Sequence, residues 1–206
     1  MTVRWRPVTF WMSWPTSVGG SLGPMTQTFT RMDESTADEW AVIGVESSKS
    51  QRHQGETVLT LLRMLSDRVD GFAVDQLTHC LQTATRAERA EADKEVVVAS
   101  LCHDLGKVVS NPNHGAIAAE MLKPYVREDV YHMVKHHQDF QGKHYFHHFG
   151  GDPDAREKYS GEPWFALTAQ FADDWDQVAF DPEYDTEPLE HFEPLVMELF
   201  ASPRFF

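Results

Sequence analysis

The chain has 206 residues, with 18 Lys plus Arg against 32 Asp plus Glu and a net charge of −14 at pH 7. That length holds one domain with a substantial core, and the acidic balance argues against a nucleic-acid or anionic-membrane partner, which most of the surface would repel. No apolar run approaches the roughly 18 residues of a membrane span and the opening segment has no signal-peptide core, so the expectation is a cytoplasmic protein acting on a small polar substrate. Residues 1–32 carry Arg4, Arg6 and Arg31 and no acid, leaving −17 on the rest. Trp, Pro, Gly and Ser punctuate them without period. This predicts a disordered extension, or translation begun upstream of a natural start at Met25 or Met32, ahead of a single helical domain over 33–206.

Thr36 followed by Glu39 is a capping-box pattern that opens a helix carrying Trp40 and Ile43. Val58, Leu61, Leu62, Leu65 and Val69 form the stripe of a second, amphipathic helix that Gly71 ends. A third runs over 74–89, with Leu77, Leu81 and Ala84 apolar and Gln76, His79 and Thr83 on the adjoining face. Residues 93–108 read as a central buried helix, and Asn111-Pro112-Asn113 as a turn capping a helix that opens at His114 and stops at Pro124. In the next helix Val130, Met133, Val134 and His137 share one face, which points His137 inward and places His132 and His136 on a solvated surface. A loop over 138–159 holds His144, His147 and His148 among aromatics. A helix over 163–179 carries Asp173, Asp174 and Asp176 around Trp175, and a last helix spans 189–200. No alternating strand pattern, repeat or nucleotide-binding glycine loop is present, so the fold class is all-α.

His103-Asp104 lies inside the apolar run from Val96 to Leu105. Two adjacent ionisable side chains there would each cost several kcal/mol if left unpaired. Imidazole and carboxylate together are the donors that iron, manganese or zinc accept, which makes the pair the nucleus of a buried metal site. The other inward candidates are His79, His114, His137 and an Asp of the 173–176 cluster. Cys80 and Cys102 read as small core residues rather than as a disulfide or a zinc pair.

His79, His103-Asp104, and a late Asp, on helices at these separations, resemble the HD-domain superfamily over roughly residues 55–180. With His114 and His137 added, the pattern is similar to its mixed-valent di-iron oxygenases, the myo-inositol and phosphonate-cleaving enzymes. The resemblance implies an HD-domain helical bundle with a buried dinuclear site holding two iron ions, Fe(II)/Fe(III), with Mn, Zn or another divalent metal as alternatives. One metal would take His79, His103, Asp104 and Asp176, and the second His114 and His137, with Asp104 bridging. Asp176 is preferred because an aromatic-Asp step, Trp175-Asp176, stands there, although helical phase alone does not exclude Asp173. Lys107, in His-Asp-Leu-Gly-Lys, matches a substrate-contacting lysine, so Lys107 and Asp104 are the catalytic candidates. Gln76, Gln141, His147 and His148 are further substrate-binding candidates. Gln141 stands where the phosphonate-cleaving enzymes have a lysine. The implied activity is oxidative cleavage of a C–C or C–P bond in a small hydroxylated substrate with O2. The alternative is metal-dependent hydrolysis of a nucleotide or other small phosphate ester.

Overall fold

The structure, a computed structural model, describes residues 28–204. The expected N-terminal extension lies outside the described residues as far as residue 27. The described residues form eight α-helices and no strand: α1 (Ala37–Gln51), α2 (Gln54–Met64), α3 (Gln76–Arg89), α4 (Lys94–Cys102), α5 (His114–Leu122), α6 (Glu128–Gln141), α7 (Phe165–Gln170) and α8 (Leu189–Phe200). None is long and apolar enough to cross a membrane.

Capping residues set several starts. Thr36 accepts from the Glu39 amide while the Glu39 carboxylate accepts from the Thr36 amide, the reciprocal box that the spacing predicts. Asp75 caps α3 through the Thr78 amide and Asp93 caps α4 through the Glu95 and Val96 amides. Asn113 makes no side-chain cap for α5; instead the carbonyl of Asn111 accepts from the His114 ring. Val96, Val97 and Val98 are β-branched and poor helix formers, yet α4 is buried on nearly every side and packing holds it helical. It packs against α3, with α5 on α6, α7 on α6 and α2 on α8 around one core that includes Leu62, Leu101, Met133, Phe171 and Phe192.

Three sequence expectations change. The α2 stripe does not reach Val69, which is 51 % exposed, because the helix tightens into a 3-10 turn at Leu65–Asp67 and ends. The central helix does not run through 108. It stops at Cys102, Asp104 leaves helical geometry at φ −100°, ψ 4°, and a 3-10 turn covers Leu105–Val108. The 163–179 helix is α-helical only to Gln170 and then winds as a π-helix over Phe171–Asp176, closed by the Gln177 amide on the Ala172 carbonyl. Single π turns inside helices concentrate at functional sites, and this one ends on Asp176.

Candidate metal centre

Six side chains from five segments converge in the core. α3 brings His79, the break after α4 brings His103 and Asp104, the first residue of α5 brings His114, α6 brings His137 and the π turn brings Asp176, none more than 4 % exposed. The α4 break has a function in this geometry. Because the chain leaves the helix at Asp104, two consecutive residues address the same point instead of diverging around a helix axis.

Each imidazole is fixed through Nδ1. His79 Nδ1 donates to the Ala179 carbonyl at 3.0 Å, and His103, His114 and His137 donate to Ser100, Asn111 and Val134 carbonyls at 2.7 Å each. A carbonyl only accepts, so each Nδ1 carries a proton, and in the neutral ring Nε2 then presents a bare lone pair. These lone pairs face one another: His79 and His103 Nε2 are 3.1 Å apart, and so are those of His114 and His137. Two neutral rings so placed repel through these lone pairs, and a cation between them, a metal ion or a proton, relieves that repulsion.

The carboxylates complete two sets. Asp176 Oδ1 lies 3.2 Å from His79 Nε2 and 3.5 Å from His103 Nε2, and Asp104 Oδ2 lies 3.5 and 3.6 Å from the same atoms. Asp104 Oδ1 turns the other way, 2.9 Å from His114 Nε2 and 3.6 Å from His137 Nε2. Ligand atoms bound at about 2.0–2.2 Å around one ion stand about 2.8–3.6 Å apart for octahedral to tetrahedral angles, and all of these separations fit. Asp104 Oδ1 and both oxygens of Asp176 are buried without a hydrogen-bond partner, a costly state that a cation relieves. Burial alone would raise both carboxyls, but the surrounding imidazoles, His103 foremost, hold them below the usual carboxylate range. Burial pulls His137 down, whereas at His103 the charges of Asp104 and Asp176 outweigh burial and push it up. The donor set fits divalent or trivalent metal ions, and two groups, His79/His103/Asp176 and His103/Asp104/His137, could each hold one.

A cleft of about 590 Å³ opens over the cluster, walled in part by Lys107, Asn111, Gln138, Gln141, His144 and Tyr145. Lys107 Nζ is 2.7 Å from Asp104 Oδ2 and donates to Gln76 Oε1 at 2.6 Å. Its side chain is 12 % exposed, so it reaches inward rather than snorkelling out. Gln76 is buried behind Lys107 and holds it instead of meeting the cleft. Gln141 lines the cleft, as expected of a substrate-binding candidate, but His147 and His148 do not: they project as exposed side chains from a 3-10 turn at Phe146–Phe149. The neighbours His144 and Tyr145 take their place, and no sequence period in that segment distinguishes them.

Asp173 sits apart from the cluster. It accepts from His144 Nε2 at 2.8 Å and from Arg156 Nη1 at 2.9 and 3.0 Å, and these bonds hold it below the usual carboxylate range against the opposing effect of burial. His132 and His136 are half-buried rather than fully solvated. Both lie flat against Trp164, ring centroids 4.9 Å away, and burial lowers His136 to about 4. Cys80 and Cys102 are buried free thiols pushed up by desolvation.

Residues 77–181 match the family model described as HD domain. No curated protein matches the chain.

Proposed function

The chain belongs to the HD domain family, typically metal-dependent enzymes, and from that premise we propose that residues 33–206 are one HD-type domain whose six converging side chains hold two metals, most favourably iron, for oxidative cleavage of a small hydroxylated substrate. The observation that carries this reading is the Asp104 carboxylate, one oxygen turned to His79 and His103 and the other to His114 and His137. A mixed-valent iron pair would supply the redox capacity to use O2 against a C–H bond beside a hydroxyl.

The chain's own residues then have defined tasks. The backbone carbonyls that fix the four rings prevent the imidazoles from turning their protonated face to the metals. Lys107 places its ammonium beside Asp104 and at the edge of the cleft, where it stabilises a substrate hydroxyl as that group loses its proton. Phe180, stacked on His79 at 4.3 Å, covers one face of that ring, and Phe72 stacks on Phe180 at 4.7 Å. Lys107→Ala is expected to lower kcat about 10²-fold while both metals remain bound. Metal loss in parallel with rate would make Lys107 structural, and an unchanged rate would remove its role.

The second reading is a metal-dependent phosphohydrolase, favoured by the typical activity of the family. Electron paramagnetic resonance on iron-supplemented, partly oxidised protein separates the two, with metal content measured on the same sample. Two irons per chain with a coupled mixed-valent signal, and oxygen uptake with a hydroxylated substrate, are expected. One metal, or two without that signal and with turnover of phosphate esters, moves the activity to hydrolysis.

A further inference from the structure

The lining of the cleft contains a histidine that none of the proposed metal ligands or Lys107 accounts for. His144 stands in the 3-10 turn that continues α6, at Gly142–His144, and its ring lines the same cleft as His103, His114 and His137. Its Nε2 lies 2.8 Å from Asp173 Oδ1. A carboxylate can only accept, so Nε2 carries a proton, and in the neutral ring Nδ1 is left with a free lone pair. Asp173 is itself immobilised, by Arg156 through both of its oxygens and by Lys143 at 3.3 Å. The ring therefore has one tautomer and one orientation, set by a cluster outside the cleft.

We propose that His144 is a substrate-binding residue whose Nδ1 accepts a hydrogen bond from a hydroxyl or ammonium of the substrate, with Asp173 as its positioning residue. This rests on the cleft being the active site of the proposed enzyme. The rest of the lining points to the same substrate class. Lys107 is the one ammonium among the described lining residues and it is paired with Asp104; Asp70 is acidic, and Asn111, Gln138, Gln141 and Gln177 are neutral amides. A substrate whose outer end carries donors finds acceptors there. One whose outer end is a phosphoryl group finds neutral amide and Tyr145 hydroxyl donors there but no free cation, with His144 Nδ1 and the Asp70 carboxylate turning lone pairs against it. An oxyanion would bind at the metals instead.

Calorimetric titration of anaerobic, metal-loaded protein tests this with two probes: ethanolamine, which carries a hydroxyl and an ammonium, and inorganic phosphate. Ethanolamine affinity is expected to fall about tenfold in His144→Leu, a change of about 1.4 kcal/mol, and to recover in part in His144→Gln, whose amide oxygen accepts. Asp173→Asn, which frees the tautomer, should weaken it several-fold with both metals retained. Phosphate should bind all four proteins alike. The proposal is overturned if ethanolamine does not bind the wild type, if His144→Leu binds it as tightly, if His144→Gln recovers nothing while holding both metals, or if phosphate weakens in parallel. Because no turnover is needed, a missing mixed-valent signal would end the oxygenase reading and leave this result to stand or fall separately.

Discussion

Asp104→Ala is expected to yield protein that holds neither metal, whereas His137→Ala keeps one. The asymmetry follows from the carboxylate. Asp104 is the one side chain with an oxygen in each set, Oδ2 beside His79 and His103 and Oδ1 beside His114 and His137. Its loss leaves the first set with His79, His103 and Asp176 and the second with two imidazoles and no charge, while the Lys107 ammonium, 2.7 Å from Asp104, stays in place as an uncompensated cation. A buried charge deprived of its partner costs about 3–5 kcal/mol, and that cation also repels incoming metal. In His137→Ala, His79, His103, Asp104 and Asp176 are untouched, so about one metal per chain should remain. Asp104→Asn keeps the shape and removes the charge, and it should fall on the side of Asp104→Ala if the bridge is electrostatic. Metal analysis on the three purified variants, with Tm measured with and without a chelator, gives the result. Bound metal adds about 4 kcal/mol at a thousandfold excess over Kd, so the wild type should lose Tm on chelation and Asp104→Ala should not. Equal loss of both metals from His137→Ala would overturn the division into two sets.

Most of this cluster was readable because periodicity carries it. His137 shares a helical face with Val130, Met133 and Val134, and phase turns it inward, while His79 lies on the face adjoining the apolar stripe of α3, at the border of the core. Two features that bring the six groups together were not readable. The first glycine after the run is Gly106, four residues past Cys102, so nothing in the residues themselves marks Cys102 as the point where the helix stops. The break coincides with the close approach of the 3-10 turn to α5, a backbone contact that residue composition and helical period do not encode. The π turn at Phe171–Asp176 is similar: its composition is ordinary for a helix, and the register of its buried residues, Phe171, Ala172, Trp175 and Asp176, is set by packing against α3 and α6. The polar neighbours of His132 and His136 on their own helix predict a solvated face. Trp164, which covers both, comes from a later segment. In the 138–159 segment the chain passes through successive 3-10 turns, and neither helical nor strand period applies. Choosing His147 and His148 over His144 and Tyr145 there had no physical basis in sequence.

Gly106→Ala should show what that contact does. A methyl group on Gly106 would stand 2.1 Å from the carbonyl oxygen of His114, 2.5 Å from its Cα and 2.6 Å from its carbonyl carbon. All three are backbone atoms at the start of α5, so no rotamer change relieves the overlap, and the 3-10 turn and α5 must move apart. Overpacking of this kind costs about 1–3 kcal/mol, and more when backbone is displaced. The displacement acts on His114, whose Nε2 lies 2.9 Å from Asp104 Oδ1, whereas metal–ligand distances tolerate changes of about 0.2 Å. The metal held by His114 and His137 should therefore be lost, with a lower Tm. The other metal should stay, because His79, His103 and Asp176 make no part of the contact. Gly115→Ala is the milder control: its methyl would meet the side-chain atoms His137 Cε1 at 3.0 Å and Nδ1 at 3.2 Å and the Val134 carbonyl at 3.3 Å, so it should weaken the same metal by less. Should Gly106→Ala retain two metals at the wild-type Tm, the close approach of the turn to α5 would not be what places His114. If instead it loses the metal held by His79 and His103 first, the two sets would not be separable along the line that Asp104 draws between them.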